Sequence, residues 1–148
     1  MSEHIAEVNW ASSPSPLDEN TYNRNHQIKL SGGQQINASS APEYKGDSNC
    51  VDPEQMLVSA LASCHMLTFL AIAELKKYQV KSYDDKATGY LEKGESGRLQ
   101  ITRIELQPKI VFDGDKTPDD TELKRMHASA HKNCFIANSL NTRVDVLE

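Results

Sequence analysis

Cys64 and Cys134 are the side chains whose type and setting best suit chemistry. Cys64 sits in the middle of an apolar stretch, Pro53–Leu75, that reads as one helix, and Cys134 falls late in a second predicted helix. In a chain with no sign of secretion, thiols rest reduced, so two cysteines on separate helices point to thiol redox exchange more than to structural stapling. A free cysteine is otherwise a small buried hydrophobe, and that alternative stays open for both. A reactive thiol needs a positive charge close by to favour the thiolate. Arg24, the only arginine before the long stretch, is the candidate, with a solvated surface charge as its plain alternative. His65 is adjacent to Cys64 but points about 100° away round a helix. Glu54 falls in the first turn of the long helix, where a carboxylate suits the helix dipole or holds an arginine. Ten residues separate Glu54 from Cys64, about 15 Å along a straight helix, so no single guanidinium touches both. Either the helix is broken between them or the contacts cross between subunits. His127, His131 and Cys134 recur at i, i+4 and i+7, a spacing that could offer three ligands to a transition metal. No HExxH and no fourth ligand accompany them, and ordinary core or surface histidines are the commoner case. Cys50 lies in a polar loop and reads as incidental.

These residues depend on the elements that carry them. Residues 5–10 suit a strand and residues 12–20 a turn-rich loop. Residues 24–30 and 34–39 alternate on either side of Ser31, Gly32 and Gly33, which predicts a hairpin. Residues 41–51 form another loop. Asp52 is then a good N-cap, Pro53 suits the first helical position, and Gln55 stands at capping-box spacing. From Met56 to Leu75 the sequence is apolar nearly all round the helix, which places it in the middle of a core. Residues 80–91 and 99–112 are rich in β-formers and are joined by a turn at 92–97. Pro108 inside the second run implies an edge or a bulge. A helix opens at Pro118, Asp119 and Asp120, with Leu123, Met126, Ala130, Cys134 and Ala137 on one face, and ends at Asn138 or Asn141. Residues 142–147 alternate, with Val144 and Val146 inward, as an antiparallel strand would. The order predicts an α+β fold, antiparallel sheets packed around a long central apolar helix plus a second helix, in one domain over residues 1–148.

Composition narrows the classes. The 148 residues are 38% hydrophobic and 25% charged, with a formal net charge of −5 and no Lys/Arg cluster. That is a soluble globular balance in which no nucleic-acid partner is expected. The start lacks the basic and apolar regions of a signal peptide, and the long apolar run, interrupted by Ser, Cys, His and Thr, reads as too short and polar to span a bilayer. A cytoplasmic protein without a membrane partner is the expectation. The modest apolar share hints that another subunit completes part of the core.

Two segments carry a resemblance. The run DPEQMLVSALASC, ending at Cys64, resembles the first cysteine segment of the OsmC/Ohr family of osmotically inducible and organic-hydroperoxide-resistance proteins. The run AHKNCFIANSL around Cys134 resembles the second, and the double strand GYLEKGESGRLQITRIELQPKIVF fits between them, so the likeness covers about residues 8–146. It implies an intertwined homodimer with the long helices at its centre. It also implies a thiol peroxidase in which Cys64 is peroxidatic, Cys134 resolving, Arg24 the activating arginine and Glu54 the carboxylate that orients it. An organic hydroperoxide would be the substrate and an external dithiol, such as a lipoyl group, the reductant, with no bound cofactor or metal. Met56, Leu67 and Phe135 would favour an alkyl peroxide. The chain departs from better-known members at Phe135, where they often carry proline, and at His65-Met66. A member that binds a small apolar ligand or a metal at the interface, without turnover, is the alternative.

Overall fold

The computed structural model describes residues 1–147, and the chain forms two compact units, Met1–Met56 and Leu57–Glu148.

In the first unit, β1 (Ala6–Asn9), β2 (His26–Leu30) and β3 (Gln35–Ala38) make an antiparallel sheet in that order. Val8 faces Ile28, which faces Ile36, so the apolar residues line up across all three strands. The β2–β3 turn is where the Gly pair foretold it, and Gly33 takes φ +86, open to glycine at no steric cost. Val51 returns alongside β3, its N–H donating to the Asn37 carbonyl at 3.1 Å. Asp52 then caps α1 (Pro53–Leu75) through the reciprocal bonds its spacing with Gln55 predicts. The Gln55 N–H donates to Asp52 Oδ1 at 2.8 Å, and the Asp52 N–H to Gln55 Oε1 at 3.0 Å.

In the second unit α1 buries Leu61, His65, Phe69 and Ala73, a stripe spaced by fours. By its 23 residues and mean hydropathy of 1.9 this helix is long and apolar enough to cross a bilayer, so the expectation that it is too short and polar is corrected. Its buried stripe nevertheless belongs to a protein core. Leu61 packs with Ile104, Leu106 and Cys134, and Phe69 and Ala73 pack with Met126 and Ala130.

The two long β runs each break in two. Residues 79–93 become β4 (Gln79–Asp85) and β5 (Thr88–Lys93), and residues 99–113 become β6 (Leu99–Leu106) and β7 (Pro108–Asp113). β4 pairs with β7, whereas β5 and β6 join β8 (Arg143–Val146) in a separate sheet. Pro108 has no N–H for a ladder, and the Gln107 N–H donates to Asp85 Oδ1 at 2.7 Å instead of to a strand. α2 (Asp120–Asn133), capped by Asp119, and α3 (Phe135–Asn138) follow β7. They form the crossover that lets β8 run parallel to β6, which corrects the antiparallel expectation for the tail.

Gly89 in β5 faces α1 so closely that a Cβ there would overlap the Val58 γ-methyl. Val58 is β-branched and has little rotamer freedom to yield. Gly89→Ala is therefore expected to lower unfolding free energy by about 1–3 kcal/mol, measured by urea denaturation.

Candidate active site

Cys64 and Cys134 come together in the second unit. Cys64 sits on α1, partly buried, next to the core cluster that contains the fully buried Cys134. Cys134 is not inside a helix, as its periodicity had implied. α2 stops at Asn133, and Cys134 has extended backbone, φ −75 and ψ 116, before α3 begins. The physical reason is a cap: the Cys134 sulfur accepts the Ala137 N–H at 3.4 Å and so ends one helix while starting the next.

This break turns the backbone N–H groups of residues 135 and 136 toward Cys64. Burial alone pushes the Cys64 thiol up. The Ile136 N–H, the Cys134 thiol and the Phe135 N–H, in that order, outweigh it by stabilising the anion, and the net effect is a value below the ordinary one, while the Thr68 hydroxyl donates to the Cys64 carbonyl at 2.8 Å. Cys134 moves the other way. Burial raises it, the Ala137 N–H opposes this, and the bond to Cys64 with the charge there raises it further. The two neighbouring thiols are thus shifted in opposite senses, Cys64 toward the thiolate and Cys134 toward the thiol. Cys50, on a loop of the first unit, is raised by burial and by Asp47, so it lacks the character of a nucleophile.

Arg24 and Glu54 lie in the first unit. Arg24 Nη1 donates to Thr21 Oγ1 at 2.9 Å and to the Tyr22 carbonyl at 2.6 Å, and its guanidinium lies 3.7 Å over the Tyr22 ring. It borders a surface cavity of about 620 Å³ walled by Val8, Trp10, Tyr22 and Pro53. No ion pair joins Arg24 to the half-buried Glu54 among the described residues.

The face of His127, His131 and Cys134 does not form, because the helix ends before Cys134 and His127 is paired elsewhere. Among the described residues no group of three His, Cys, Asp or Glu side chains could hold a metal ion. His127 Nδ1 lies 3.0 Å from His65 Nε2, the two rings 7° from parallel and meeting through their edges. Sequence reasoning missed this pair, although position 127, four after Leu123 and three before Ala130, falls on the buried face of α2. Burial, then His127 and His131, lower the His65 pKa to about 4. Tyr83 and Asp85, alternate residues of β4, are also raised by burial, and each keeps a buried oxygen without a partner.

Two outcomes follow. Timed alkylation with iodoacetamide at neutral pH, resolved by peptide mass spectrometry, is expected to label Cys64 before Cys50 and Cys134. The second concerns acid. His65 binds its proton near pH 4 when folded and near 6.5 when unfolded, so the unfolded chain takes up the proton first and stability falls as pH drops from 6.5 to 4. The loss is of order 3 kcal/mol, and the raised carboxyl of Asp85 works against it. Urea midpoints across that range are expected to fall less steeply in His65→Gln than in the parent.

Comparisons with known proteins agree with this architecture. A family model described as OsmC-like protein matches residues 46–147. An OsmC-like protein of unknown function from Vibrio cholerae O1 biovar eltor is 42% identical, with a TM-score of 0.93 over 99% of both chains. The uncharacterized protein YmaD of Bacillus subtilis is 25% identical over 126 residues, 84% of this chain and 83% of that one. An organic hydroperoxide resistance protein OsmC from Legionella pneumophila is 18% identical, with a TM-score of 0.73 over 99% of this chain and 94% of that one, and shares the fold. A match over two thirds of the sequence, and a relative 42% identical along its whole length, establish that this chain belongs to the OsmC-like protein family.

Proposed function

We propose that this protein is a thiol-dependent peroxide reductase acting on organic hydroperoxides. The observation that carries it is the placement of Cys64, partly buried on α1, against the core cluster that holds Cys134, in surroundings that lower its thiol pKa. The hydroperoxide resistance named for the Legionella relative supports the same chemistry.

In this function the Cys64 thiolate attacks the terminal peroxide oxygen. The O–O bond breaks, the alkoxide takes a proton and leaves as an alcohol, and Cys64 becomes a sulfenic acid. The donors that hold the thiolate pull its charge into place before the reaction, so little reorganisation is needed. The Cys134 thiol then displaces hydroxide from the sulfenic acid, giving a disulfide and water. An external dithiol, a lipoyl group being the favoured candidate, returns both thiols by exchange. Arg24 is assigned the activating guanidinium and Glu54 the carboxylate that orients it. Phe135, 80% exposed beside Cys134, offers an apolar surface to an alkyl substituent.

A cytoplasmic homodimer is the proposed state. Only 22% of the apolar window of α1 is buried within one chain, and Leu67 and Leu75 are exposed along it. A second copy covering that face would bury it, as soluble proteins rarely leave a large apolar patch open. Sedimentation at twice the 16.5 kDa of the chain is expected.

Consumption of tert-butyl hydroperoxide with dihydrolipoamide as donor tests the function. Cys64→Ser is expected to lose at least about a hundredfold in rate, since the nucleophile is gone. Cys134→Ser should instead accumulate a sulfenic acid that dimedone labels. A Cys64→Ser variant as fast as the parent overturns the assignment.

A further inference from the structure

α1 and α2 meet through two histidines. The rings of His65 and His127 are 7° from parallel with centroids 5.3 Å apart, and His127 rests on Phe69 at 4.6 Å. Both side chains are buried, and His65 Nδ1 has no partner. Burial holds both rings neutral over the physiological range, so a single proton lies in the Nε2–Nδ1 contact. The less costly tautomer has His65 Nε2–H donating to His127 Nδ1, because it strands an acceptor at His65 Nδ1 and not a donor.

A pair of apolar side chains would fill this space without the desolvation cost of two imidazoles. The imidazoles supply a directional contact instead. It fixes how far α2 is turned and slid against α1, as a buried polar contact can fix register. Each histidine is tied to one of the sulfurs. His65 directly follows Cys64, and His127 precedes Cys134 by two helical turns, about 10 Å. Because that stretch of α2 is continuous helix up to Asn133, a turn or slide at His127 is passed on to Cys134. Disulfide closure tolerates little of this, since it needs the two Cα atoms within a narrow range and a set torsion about the sulfurs.

We propose that the His65–His127 pair is a positioning device that sets the approach of the Cys134 sulfur to Cys64. It governs disulfide closure. In closure the S–O bond of the Cys64 sulfenic acid breaks as the S–S bond forms, and the departing hydroxide takes the Cys134 proton to leave as water. The two-electron oxidation has already been supplied by the organic hydroperoxide. The kinetic half of this proposal rests on the function given above, and the geometric half does not.

The test separates the two. In a Cys50→Ser background, equilibration with glutathione and glutathione disulfide reads the effective concentration of Cys134 toward Cys64 without any peroxide. His65→Gln keeps an amide N–H where Nε2 stood and is expected within about threefold of the parent. His65→Leu keeps bulk without the hydrogen bond and is expected at least about tenfold lower. If His65→Leu fails to fold by circular dichroism, His127→Phe carries the same expectation. A value within about twofold of the parent for the apolar variant, or a Gln variant as poor as Leu, overturns the proposal. Dimedone labelling after tert-butyl hydroperoxide, in the Cys134→Ser variant, reads sulfenic acid formation separately. If no sulfenic acid forms even in the parent while the glutathione order holds, the peroxidase function fails and the positioning role stands.

Discussion

The end of α2 at Asn133 is the constraint on which the rest depends. Had the helix run on through residue 134, the Cys134 side chain would have followed the helical face of Met126 and Ala130, and the N–H groups of residues 135 and 136 would have been spent on carbonyls one turn back. Because Cys134 is extended, its sulfur caps α3 and meets Cys64, while those two N–H groups are free to do the same. One backbone break thus places the second sulfur and supplies the donors that favour the first as an anion. Hydrogen bonds to a charged acceptor are about twice as strong as neutral ones, which explains how they prevail over the burial that opposes ionisation.

α1 does two jobs at once. Its buried stripe of Leu61, His65, Phe69 and Ala73 anchors two core clusters, and Cys64 sits at the margin of that stripe. A thiol on such a helix is held rigidly by packing and not by a loop, which suits the narrow geometry that the proposed attack and disulfide closure need. The same helix keeps much of its apolar surface outside the single-chain core, so the stability of this scaffold and the completion of its interior are joined to association in the proposed dimer.

Local chemistry was legible in the sequence where the partners lie close along the chain. The Asp52–Gln55 box, the Gly33 turn and the extent of α1 came out as their spacing implied. The meeting of Cys64 and Cys134 was implied by the family resemblance rather than by spacing. What stayed hidden depends on contacts far apart in the chain. The Asp85 carboxylate takes the Gln107 N–H from 22 residues away and so splits two strands that read as continuous. The parallel course of β8 follows from the crossover of α2 and α3, which alternation of Val144 and Val146 cannot distinguish from an antiparallel course. Periodicity carried α2 past residue 133 because a cysteine has no strong signature as a cap. His65 was correctly turned away from Cys64, yet the partner it turns toward lies 62 residues on.

The central claim is that Cys64 and Cys134 are a redox pair with Cys50 outside it. Peptide mapping after one equivalent of an organic hydroperoxide tests this most directly. The account predicts a single cross-linked species joining the Cys64 and Cys134 peptides, with Cys50 recovered as a free thiol. A disulfide that engages Cys50, or a Cys64 recovered reduced after the peroxide is gone, would contradict it.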